Sequence, residues 1–119
     1  MIPFYIICCA LVIHWLADFK YQNHWMASNK STSNKALGGH VLVYTLFMVW
    51  LGLIMFNDSL LAILFALING AIHFCVDYCT SRLTSFRWKQ QRWHDFFEVV
   101  GVDQSIHYLT IFGTYLLLK

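Results

Sequence analysis

The sequence predicts an all-α polytopic membrane protein, a single domain over residues 1–119 built as a bundle of four transmembrane helices. Three observations lead there. Hydrophobic residues make up 59% of the chain and charged residues 12%, with a mean hydropathy of +0.56. A soluble chain carries roughly 45–50% and about 25%, so the few polar side chains here could not cover a small domain in water. Four apolar stretches of near-spanning length alternate with polar connections. Period-two alternation is absent and four strands cannot close a barrel. Helices are then the remaining way across, because lipid offers no partner to a bare amide. A soluble enzyme, a disordered tail and a nucleic-acid-binding module are excluded. Eight basic against six acidic residues is too small an excess for a polyanion binder.

The first span is read from Ile2 to Phe19, the second from Leu37 to Phe56, the third from Ser59 to Cys79 and the fourth from Val102 to Leu118. Each is close to the roughly 17–25 residues a membrane helix needs. The N-terminal stretch has no basic n-region and no small-residue cleavage pattern, and it ends in His14 and Asp18, so it reads as a retained span. The first connection, Lys20–Ala36, is polar and rich in Ser, Asn and Lys; the second is a tight Asn57-Asp58 turn. The third, Thr80–Gly101, reads as a longer loop in which basic and aromatic residues interleave, suited to lipid headgroups or to solvent. Ala62, Ala66 and Gly70 form a small-xxx-small stripe that lets helices approach closely.

Charge sets the orientation. Seven of the eight basic residues fall in the first and third connections, which share one side of a four-span chain. By the positive-inside rule that side is cytoplasmic and both termini are not. The expected location is a bacterial inner membrane, crossed several times. Cys8, Cys9, Cys75 and Cys79 contain no CxxC and read as small apolar fillers with no disulfide.

The ionisable residues inside the spans are grouped. His14 and Asp18 end the first span, His73 and Asp77 end the third, and Asp103 and His107 begin the fourth. Each pair is spaced i, i+4, on one helix face. The second span adds His40 near its start, and Asn69 lies one turn before His73. Alternating span direction puts all these ends on the basic side. His14, Asp18, His40, His73, Asp77, Asp103 and His107 are therefore expected to converge in one layer just inside the membrane. An Asp costs roughly 2.5–3.5 kcal/mol at the centre of a span, so three need compensation. A divalent metal supplies it. Imidazole and carboxylate are the ligands of zinc, or of manganese or iron where carboxylates are plentiful. Seven candidate ligands suit one ion with a hydrogen-bonded surround, or two ions. A metal-free His–Asp network is the alternative. A proton or ion path fits less well, because the outer half of every span lacks ionisable groups.

Beyond the layer, Gln22, Lys30 and Arg82 lie where they could meet an anionic substrate such as a phosphate, or anchor to headgroups. His24 is assigned to the surface, and the adjacent His94-Asp95 pair carries little weight. His14-Trp-Leu-Ala-Asp18-Phe19 is echoed by His73-Phe-Cys-Val-Asp77-Tyr78, each followed by a His-bearing span, although Ala36 falls where the second half has Asp103.

His14–Asp18-Phe19, Gln22, Ala27, Lys30, His40, His73, Asp77-Tyr78, Asp103-Gln104 and His107, in this order and spacing, resemble the domain-of-unknown-function 3307 family of bacterial and phage membrane proteins. The resemblance runs from about Ile13 to Leu118 and weakens over Arg82–Val100. It implies a small multi-span inner-membrane protein and supplies no activity. A more distant likeness to predicted membrane-bound metal-dependent hydrolases is analogy at the level of fold.

Two functions follow as expectations. In the first, the chain is a membrane-embedded metal-dependent hydrolase. His14, Asp18, His40, His73, Asp77 and His107 are its ligands and Asp103 a ligand or the general base. Gln22, Lys30 and Arg82 orient the anionic group of a lipid or small interfacial ester or phosphoester. In the second, a non-enzymatic, phage-encoded membrane protein binds or modulates a membrane partner, and the cluster only holds the bundle together. Room separates them: a layer satisfied by itself, with no open position or cleft, favours the second. The bilayer is the expected partner in either case, nucleic acid in neither, and a homo-oligomer stays open.

Overall fold

Three of the helices begin at a residue whose side chain caps them. A computed structural model describes residues 1–119 as helices joined by short turns, with no strand. α1 (Phe4–Trp15) starts after Pro3, whose missing N–H costs nothing at a helix start. α2 (His24–Asn29) is a single short turn inside the first connection, capped by the Asn23 side chain, which accepts from the Met26 amide at 2.8 Å. α3 (Asn34–Phe56) is capped by Ser33, and α4 (Ser59–Lys89) by Asp58, which accepts from the Leu61 amide at 2.9 Å. Between them Asn57 ends α3 in the left-handed conformation at φ 51°, which an Asn tolerates better than most residues. The expected tight Asn57-Asp58 turn is therefore a stop signal followed directly by a start signal.

Two expectations are corrected. The Thr80–Gly101 segment is not a long loop. α4 runs on to Lys89 and only three residues separate it from α5 (Trp93–Leu118), in a turn where Gln91 takes φ 57°. The physical reason is that hydropathy falls after Cys79 but no Gly or Pro interrupts the helix before Lys89. Leaving the apolar stretch does not end a helix whose hydrogen bonds can continue. The first span, in turn, is not a uniform α-helix. After Trp15 it widens into a π turn over Leu16–Lys20, closed by the Tyr21 amide on the Leu16 carbonyl at 2.8 Å. Such turns are rare and recur at functional sites; this one carries Asp18.

Two helices, α3 and α4, are long and apolar enough to cross a membrane. α1 has twelve residues before its π turn, and the first half of α5 is polar, so neither reaches the same measure. By this measure two of the four expected spans are present, and the four-span bundle is not supported beyond them.

The small-residue stripe does what its spacing suggests. A Cβ on Gly52 would lie 2.8 Å from the Cα of Ala62, so α3 and α4 meet there backbone to backbone. A Cβ on Gly70 would lie 2.2 Å from the Thr45 hydroxyl. Around this seam an apolar core joins Ile6 and Ala10 of α1, Tyr44, Met48 and Leu51 of α3, Phe65 of α4 and Ile111 of α5. The outward faces are also apolar, with Leu42, Leu46, Trp50, Leu60 and Leu67 exposed on α3 and α4. All four cysteines are free.

Candidate metal centre

The polar layer lies directly beyond the apolar core. His14 and Asp18 enter from α1 and its π turn, His40 from α3, His73 and Asp77 from α4, and His107 from α5, and all six are buried. Asp103 joins them with 13% of its side chain exposed. The convergence expected from order and spacing is therefore present.

At its centre the two Nε2 atoms of His40 and His73 stand 3.0 Å apart. Asp18 Oδ1 lies 3.1 Å from His40 and 3.5 Å from His73; Asp77 Oδ2 lies 3.4 and 3.5 Å from the same two atoms. A tetrahedral ion with bonds of about 2.0–2.2 Å has ligand–ligand edges of about 3.3–3.6 Å, so these five separations are nearly those of a coordination shell. Asp18, His40, His73 and Asp77 could hold a metal ion, their ligand atoms all lying within 4.8 Å of one another. Hydrogen bonding alone serves the arrangement poorly. Only one of the facing Nε2 atoms can carry the hydrogen between them, which leaves a nitrogen lone pair turned toward two carboxylate oxygens. A central cation makes all four contacts attractive.

A second group, Asp18, Asp103 and His107, meets the same 4.8 Å criterion. His107 Nε2 lies 3.3 Å from Asp103 Oδ2 and 3.2 Å from Asp77 Oδ1. Thr80 donates its hydroxyl to Asp103 Oδ1 at 2.5 Å. Lys30 reaches in from the α2–α3 connection and donates to Asp77 Oδ2 at 2.9 Å. With the imidazoles neutral, three carboxylates facing one ammonium leave two negative charges, the charge one divalent ion would neutralise.

The rings are held mainly by packing. The Nδ1 atoms of His14, His40, His73 and His107 are buried without partners, where a ligating histidine usually donates to a carbonyl or carboxylate. Tyr44 stacks on His73 with centroids 3.7 Å apart, and His73 stacks on His107 at 4.1 Å. That column fixes where the Nε2 atoms of His73 and His107 point.

The remaining expected residues divide. His14 belongs to neither group; its Nε2 bonds Gln104 Oε1 at 2.9 Å. Gln104 donates to Asp18 Oδ2 at 2.8 Å and to Asp103 Oδ2 at 3.0 Å, so it links the layer's two sides. Sequence reasoning gave Gln104 no role, although it lies three residues before His107 and therefore on nearly the same face. Thr80 and Tyr44 were missed as well, and neither has a signal in local spacing. Gln22 and Lys30 line a cleft of about 170 Å³ whose wall also includes Asp18, Asp77, Asp103 and Gln104. Gln22 Oε1 is buried and unpartnered there. Arg82 is turned away: its guanidinium lies over the Tyr78 ring and bonds the Tyr78 carbonyl and Asn34 Oδ1. His24 is exposed, and His94, 86% exposed, pairs with Glu98 far from the layer.

No curated protein and no solved structure matches this chain. One family model does, over residues 6–118, nearly its whole length, under the description "Protein of unknown function". The layer's residues all fall within that match, and the chain belongs to the DUF3307 family.

Proposed function

We propose that this protein is a metal-dependent hydrolase embedded in a bacterial inner membrane, acting on an ester or phosphoester at the membrane interface. The observation that carries the reading is the position of the His/Asp layer at the floor of a polar cleft. A cluster that only held helices together would need no such opening. Zinc suits the primary set of two imidazoles and two carboxylates. A divalent ion held in the layer would supply Lewis acidity and a water acidic enough to attack near neutral pH.

The chain's own residues do the rest. Lys30 and Gln22 sit where an anionic headgroup would enter, the first as a charge and the second through the N–H donors of its side-chain amide. Gln104 and Thr80 orient Asp18 and Asp103. Asp103 borders both cleft and layer and takes the proton of the attacking water. Arg82, bonded elsewhere, has no part in this assignment. In the bilayer we place four spans, because α1 and α5 also turn apolar side chains outward, among them Leu11, Val12, Leu109 and Leu116. The basic connections are cytoplasmic and both termini are outside.

Detergent-purified protein should carry metal by elemental analysis. It should hydrolyse bis-p-nitrophenyl phosphate or a p-nitrophenyl ester, lose this with a chelator and regain it with zinc. Metal below about a tenth of an equivalent in protein never exposed to chelator would sink the reading. A reporter fused after Lys119 that works only in the cytoplasm would overturn the orientation.

A further inference from the structure

We infer that the layer is a two-metal centre in which Asp18 bridges a closed inner ion and an open outer one; this rests on the hydrolase reading and deepens it. The carboxylates carry the inference. Asp18 turns Oδ1 to His40 and His73, and its Oδ2 to Gln104 and, at 3.6 Å, His14. Asp77 turns Oδ2 to His40 and His73, and its Oδ1 to His107. Asp18, common to both groups, therefore offers one oxygen to the inner histidines and the other to the side where Asp103 stands, while Asp77 Oδ1 orients His107. Asp18 is thus disposed as a carboxylate is between ions about 3.5–4 Å apart.

The two sets also differ in access. The inner set has four protein ligands, and neither His40 nor His73 borders the cleft. Four protein ligands with no open position make a structural site, whereas catalysis needs a vacancy. The outer set, Asp18, Asp103 and His107, has three, and Asp18 and Asp103 line the cleft. Gln104 Nε2 holds Asp18 Oδ2 and Asp103 Oδ2 together through hydrogen bonds that an ion would replace. Asp103 would bind through Oδ2 and keep Oδ1, beside the Thr80 hydroxyl, for the proton. The inner ion neutralises the layer. The outer ion then adds positive charge where an anionic phosphoester would arrive.

The test is metal stoichiometry with a spectroscopic check. Protein saturated with Mn(II) and freed of excess should hold two equivalents and give an exchange-coupled electron paramagnetic resonance spectrum. His107→Gln and Asp103→Asn should each fall to one equivalent with an uncoupled six-line signal. One uncoupled equivalent in the wild type would overturn the two-metal centre and leave the hydrolase reading standing. Two uncoupled equivalents would overturn the bridging, and none would overturn both readings. Should the variants fail to fold by size exclusion, the wild-type count and coupling still decide.

Discussion

The bundle's interior has two regions that are equally buried and chemically opposite. On one side of the His14–His40–His73–His107 level lie Ile6, Ala10, Met48, Leu51, Phe65 and Ile111, all nearly inaccessible. At that level lie four imidazoles and two carboxylates that are just as inaccessible. Packing holds the first region, and close backbone approach at Gly52 and Ala62 is its tightest point. Charge and hydrogen bonding hold the second. The same helices can thus give one segment to cohesion and the next to chemistry, and substitutions in the two should fail in different ways.

The largest expected effect is on the polar side. Asp77→Ala or His73→Ala removes a ligand, and metal affinity should fall by more than about 100-fold, since losing even a residue that only supports a ligand costs 10–100-fold. Competition with a chromophoric chelator reads this. An unchanged affinity would show that the inner set holds no ion. Next is Gly52→Ala, whose added methyl must push α3 and α4 apart. It should cost about 1–3 kcal/mol in unfolding from micelles and leave metal stoichiometry intact. Metal release at full folding would mean that the two regions are coupled. Tyr44→Leu removes the ring stacked on His73, worth about 0.5–1.5 kcal/mol, and metal affinity should drop by roughly tenfold or less. Smallest are two controls. Gly113→Ala meets open space, so it should be neutral or stabilise by up to about 1 kcal/mol. Arg82→Ala should leave metal content and hydrolysis unchanged, and a large loss of hydrolysis would return Arg82 to the site.

The faint repeat in the sequence has a counterpart in the bonding. Asp18 bonds His40 of the next long helix at 3.1 Å, and Asp77 bonds His107 of the helix after its own at 3.2 Å. The departure from the repeat is also where the chemistry differs. Asp103, opposite Ala36 in the other half, is the carboxylate that borders the cleft.

The sequence by itself determined the helical class and which residues meet in the polar layer. It could do so because i, i+4 spacing puts two side chains on one face, and because alternating helix direction brings the end of α1, the start of α3 and the middle of α5 to the level of His73 and Asp77. Tertiary structure alone decided which atoms meet. The rotation of each helix about its axis is set by packing against neighbours, so the face-to-face approach of His40 and His73, the part taken by Gln104 and the turning away of Arg82 have no local signal. The π turn that carries Asp18 and the run of α4 to Lys89 were hidden for another reason. Hydropathy reports where lipid begins and ends, whereas a helix continues, widens or stops according to its backbone hydrogen bonds.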